Sequence, residues 1–218
     1  MSTGLLDLLP PPQRLALAYS PASTREHLLA LLAFDARLGM AIRQANEPIM
    51  AQMRLAWWRD QLRLEAEQRE RSDELVVALD RLAGMRGALF SLIDGWEGIL
   101  GEFLDNHAIG GLATARGRAL AAVARLAGVS ETMEAVEKAG TRWALGDLAA
   151  GLSDGAERNL TLGLARELGN ERIALPRELR TLAVLDGLAR RSLSRGGGPL
   201  FSGPASGLLA IRLGLTGR

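Results

Sequence analysis

Apolar residues recur at helical spacing along nearly the whole chain, and the strict alternation of a half-buried strand is nowhere sustained. Leu28, Leu31, Leu32 and Leu38 follow Ser23 and Glu26, whose spacing is that of a capping box, so a helix is expected up to Arg43. Asn46-Glu47-Pro48 reads as a turn with proline at a first helical position. A second, amphipathic helix is expected over 49 to about 71, with Leu55, Trp58 and Leu62 on its apolar face and a solvated, charge-mixed end. Ser72 and Asp73 offer caps for a short helix over 74–82. Gly84 and Gly87 then separate it from a helical stretch carrying Phe90, Ile93, Trp96 and Ile99.

The second half continues in the same period. An alanine-rich helix is expected over 112–126. A helix opened by Ser130 carries Val136, Trp143, Leu145 and Leu148, and further helices are expected over 157–168 and 177–192. Five glycines and two prolines fall within 195–207, which reads as a flexible linker before a short apolar segment, 208–215. The expected architecture is all-α, a single-domain helical bundle over 1–218 without internal repeats.

Composition narrows the function classes. With 218 residues and 48% hydrophobic content the chain can bury one core, and no apolar run reaches the roughly 20 residues of a bilayer span. Residues 1–12 hold Asp7 but no Lys or Arg, unlike a secretory or mitochondrial leader, so a cytoplasmic location is expected, with at most peripheral membrane contact. The net charge of +1 argues against nucleic acid as a partner. Absence of cysteine excludes disulfides and thiol chemistry. Of the 26 basic residues only Lys138 is lysine. Arginine suits phosphate, yet these arginines are spread along the sequence, which favours compositional bias over a phosphate site.

The stretch LLALLAFDARLGMAIRQANEPIMAQMRLAWWRDQL (28–62) resembles the N-terminal part of the squalene/phytoene synthase family: a helix with Ala-Phe, a Glu-Pro turn, then Arg-Leu-x-Trp-Trp-Arg. LIDGWEGIL, ARGRALAAVARLAG, AGTRWALGDL and ALPREL follow in the family's order. The resemblance implies the all-α isoprenoid synthase fold, C-terminally shortened. It also implies an activity, head-to-head joining of prenyl diphosphates, that depends on Mg²⁺ held by two aspartate-rich helix segments. Placed by Ala33-Phe34, the first aspartate motif falls on Gly39, Met40 and Arg43. Placed by Gly140, the second puts Asp147 at the family's asparagine, Ala150 at its arginine, and Gly151 and Gly155 at its aspartates. Magnesium needs several oxygen ligands, which these residues do not supply. The chain is thus similar to a degenerate subgroup of the family that includes a mitochondrial complex I assembly factor.

The resemblance therefore implies no catalytic residue, no metal ligand and no resident cofactor, and a protein that binds an isoprenoid or other lipid or assists assembly with a protein partner. Its pocket would draw on Phe34, Asp35, Arg43, Trp58, Trp143 and Asp147. Two alternatives stand beside it: an active prenyltransferase holding Mg²⁺ at Asp35, Asp147 and Asp154, and a plain helical interaction module. Taken singly, Trp58 reads as a core anchor, Trp57 as facing a second helix, and Arg54 and Arg59 as ion-pair partners. Asp35 is expected to pair with Arg37 or Arg59. His27 and His107 lack the spacing of a zinc site.

Overall fold

The computed structural model describes residues 3–101 and 103–217, and among them every regular element is helical. In chain order these are α1 (Thr3–Leu8), α2 (Pro11–Ala18), α3 (Ala22–Arg43), α4 (Pro48–Arg63), α5 (Glu74–Ala78), α6 (Arg86–Glu97), α7 (Asn106–Leu126), α8 (Met133–Gly151), α9 (Gly155–Leu168), α10 (Arg180–Leu193) and α11 (Gly203–Thr216). Short 3-10 turns at Ala66–Gln68, Leu79–Met85 and Arg177–Leu179 join some of them.

Helix starts follow local chemistry. Pro48 opens α4, where its missing N–H costs nothing. Asp73, Asp105 and Asp154 accept backbone N–H bonds at the starts of α5, α7 and α9. Ser23 does not cap α3, because Pro21 already turns the chain into the helix and leaves Ser23 inside the first turn. The second helix stops at Arg63, short of the expected 71. Beyond Leu62 no apolar stripe holds a helix to the core, and the chain instead turns so that Arg69 reaches the Leu64 carbonyl at 3.1 Å and Asp80 at 2.8 Å. The glycine-rich segment also ends earlier than its composition suggests, since α11 begins at Gly203 with Pro204 in its first turn.

The centre of the bundle is the α7–α8 pair, with α6 against α7, α10 against α8, and α3 crossing α7. Gly117 and Gly140 set that pair: a methyl group at 117 would lie 2.6 Å from the Glu137 carbonyl, and one at 140 would lie 2.9 Å from Gly117 Cα. Leu28, Leu32, Phe34 and Leu38 of α3, Trp58 of α4, Trp96 of α6 and Trp143 of α8 share one buried cluster. A smaller cluster, Ile109, Ala113, Ala144, Leu145 and Ala165, ties α9 to α7 and α8. Among the described residues no helix is long and apolar enough to cross a membrane.

Candidate functional site

Four helices meet around one cation, and it belongs to the protein. Arg116 of α7 is 4% exposed; its Nε donates to Asp35 Oδ1 at 2.9 Å and its Nη2 lies 2.7 Å from Asp35 Oδ2. Its Nη1 donates to Asp147 Oδ2 of α8 at 2.9 Å. Trp96 Nε1 of α6 adds a bond to Asp35 Oδ1 at 2.8 Å. The guanidinium lies 4.9 Å from the Trp96 ring centroid and 5.2 Å from that of Trp143, so aromatic faces accompany the two carboxylates. Burial opposes the charge on Arg116, but Asp35 and Asp147 outweigh it and raise the guanidinium pKa above its ordinary value.

Helix periodicity builds this arrangement. Trp143 and Asp147 are four apart on α8 and project from one face; Phe34 and Asp35 are adjacent on α3. Phe34 packs edge-on to Trp58 at 5.2 Å, and Trp58 to Trp57 at 4.7 Å. The structure thus brings Asp35, Trp143 and Asp147 together through Arg116, with Phe34 and Trp58 as their packed surround. Arg43, exposed in the last turn of α3, takes no part in these bonds, although its Nη1 and the Trp96 ring edge both lie 2.8 Å from the place of a Cβ at Gly39. Arg116 lies in the ARGRALAAVARLAG stretch but was not among the expected pocket residues, being 81 positions from Asp35 and 31 from Asp147.

The expected partners of Asp35 are engaged elsewhere. Arg37 pairs with Asp73 at 3.3 Å, and Arg59 bridges Asp94 and Glu97 of α6. Arg54 donates to the Ala41 carbonyl at 3.2 Å. Trp57 is not covered by a second helix: it is exposed, in a row with Ile49, Met50 and Met53 along α4.

Magnesium does not fit the positions that the family resemblance assigns to it. At Gly39 any side chain would meet Trp96, whose Cη2 lies 2.8 Å from the place of a Cβ. Asp35 and Asp147 hold a guanidinium, and Asp154 is committed to the backbone N–H groups of Ala156 and Glu157. Among the described residues no three His, Cys, Asp or Glu side chains are grouped so as to hold a metal ion.

A second buried pair locks α8 to α10. Arg142 donates through Nε and Nη2 to both oxygens of Asp186, at 2.7 and 2.9 Å, and through Nη1 to the Gly169 carbonyl at 3.0 Å. Burial pushes the Asp186 carboxyl above its ordinary pKa despite that fork. Beside it, between α10, α11 and the strand-free segment 170–175, opens a cleft of roughly 710 Å³. Arg172, Arg180, Arg190, Arg191 and Arg212 line it, so arginines that look scattered along the sequence are gathered by the fold. No family model, curated protein or solved structure matches this chain.

Proposed function

We propose that this chain is a non-catalytic helical protein of the squalene/phytoene synthase type that binds an isoprenoid or another lipid. The observation that carries the reading is Arg116 bridging Asp35 and Asp147. A synthase needs an exchangeable divalent ion between facing carboxylates to stabilise a departing diphosphate. Here the carboxylates that face each other, Asp35 and Asp147, are paired by a tethered, permanently charged guanidinium, which has no coordination site to offer a substrate. The same geometry argues against a transferase with its metal at Asp35, Asp147 and Asp154. The helical architecture, the Ala-Phe and Trp-Trp-Arg segments, and an arginine-lined cleft with apolar walls support retained binding.

The test is equilibrium binding of farnesyl diphosphate with and without Mg²⁺, followed by assay for released diphosphate. Binding that is independent of Mg²⁺ and without turnover is expected. Diphosphate release that Asp147→Ala abolishes would overturn the reading.

A second reading, an assembly role with a protein partner, is favoured by the exposed apolar row of α4, Ile49, Met50, Met53 and Trp57. If the protein binds no prenyl diphosphate and Met53→Asp abolishes capture of a copurifying protein, this second reading replaces the first.

A further inference from the structure

We propose that the cleft between α10 and α11 docks the protein on anionic phospholipid surfaces, the arginines taking lipid phosphate and the outer ridge of α11 entering the acyl boundary. Two independent features meet there. The first is uncompensated charge. None of the five lining arginines makes an ion pair among the described residues, although Arg190 donates to the Asn170 carbonyl at 2.7 Å. The one carboxylate in the lining, Asp186, is already held by Arg142. Burial, and after it repulsion from Arg142, holds the Arg190 guanidinium below its ordinary pKa.

The second is an apolar ridge beside the cleft. Leu208, Ile211 and Leu215 lie at helical spacing along α11 and are 68%, 45% and 71% exposed. Phe201, just before the helix, is exposed as well. Leu209 and Leu213 turn the other way, into the cleft wall. No Asp or Glu occurs anywhere in α11, so nothing on the helix repels an anionic surface. A helix that combines an exposed apolar ridge with adjacent arginines has the chemistry of an interfacial anchor. Guanidinium forks suit phosphate oxygens, and attraction to anionic lipid adds to apolar burial. The pocket beside Trp57 on α4 holds Arg37, paired with Asp73, and Arg54, which donates to the Ala41 carbonyl, so that row is not part of this surface.

The inference rests on the lipid-binding reading for its ligand class. Its test leaves the Arg116 network untouched, so its failure would not revive a metal-dependent enzyme, and failure of farnesyl diphosphate to bind would not remove a membrane-docking face.

The experiment is cosedimentation of the full chain with vesicles of phosphatidylcholine alone and of phosphatidylcholine containing one third phosphatidylglycerol. Binding is expected only to the anionic vesicles, weakening as salt is raised. Arg191→Gln and Arg212→Gln should each weaken it about fivefold. The double variant Leu208→Ser, Leu215→Ser should weaken it further, and Met53→Ser on α4 should leave it unchanged. These side chains are exposed or half-exposed, and a far-UV spectrum and melting temperature confirm that each variant folds. Equal binding to both vesicle types, no binding to either, or binding indifferent to the α10 and α11 variants would overturn the proposal. So would a thermal shift with inorganic phosphate unaccompanied by vesicle binding, which would assign the cleft to a free anion.

Discussion

Removing the Arg116 guanidinium would leave the Asp35 carboxylate buried with the Trp96 indole as its remaining hydrogen-bond donor. A buried charge stripped of its counter-ion costs about 3–5 kcal/mol, so Arg116→Met should lower unfolding free energy by that order in urea titrations. Asp147, with its side chain 29% exposed, can recover solvation, and Asp147→Asn should cost about 1 kcal/mol. Combining Arg116→Met with Asp35→Asn should restore part of the loss, because no ion is then left buried. Similar costs for all three variants would mean that the network does not discriminate between its carboxylates. Asp186 makes a pH-dependent counterpart. Its carboxyl titrates above the ordinary aspartate range when folded, so across that window the native state binds more protons than the unfolded one. Its contribution to stability is therefore greatest below about pH 4 and declines as pH rises through the folded value. Urea midpoints of the chain and of Asp186→Asn, compared across the acid range, should converge or cross in that sense; a difference that grows with rising pH would contradict it.

Helices were legible where local chemistry and the core agreed. Pro48 and Asp73 start α4 and α5 as the sequence suggests, and Leu28, Leu32, Leu38, Leu55 and Leu62 all face inward. The misreadings occur where a local signal had a competitor. The Ser23-Glu26 spacing imitates a capping box that Pro21 pre-empts, and the charged run after Leu62 satisfies helical spacing without any surface to bury. The α7–α8 crossing was legible only as a preference for small residues. Its sharpness belongs to Gly117 and Gly140, and Gly117→Ala should cost about 1–3 kcal/mol by forcing the two helices apart. Gly111, in the same helix, has nothing within 4 Å of a Cβ, so Gly111→Ala should stabilise by about 0.5–1 kcal/mol. Thermal melts of the two variants test this contrast directly, and equal shifts would mean that the crossing is not close-packed.

At the scale of the molecule, the sequence could show which acidic residues are present, but not that Arg116 holds two of them. Asp35, Trp96, Arg116 and Asp147 come from four helices, and the distances that make them a unit exist only after α3, α6, α7 and α8 have packed. The same holds for the cleft at α10 and α11, where arginines from residues 172 to 212 converge. The all-α architecture was legible because helical periodicity is local; the interior ion network was not, because it is a product of packing. The central claim is that Asp35 and Asp147, the two carboxylates a metal site between α3 and α8 would need, are held by the protein's own guanidinium. Crystals soaked with Mn²⁺ and farnesyl diphosphate, with data collected for anomalous scattering, test it most directly. The account predicts no manganese peak between α3 and α8, with Arg116 still bridging Asp35 and Asp147. A peak bound by those two carboxylates with Arg116 swung aside would contradict it.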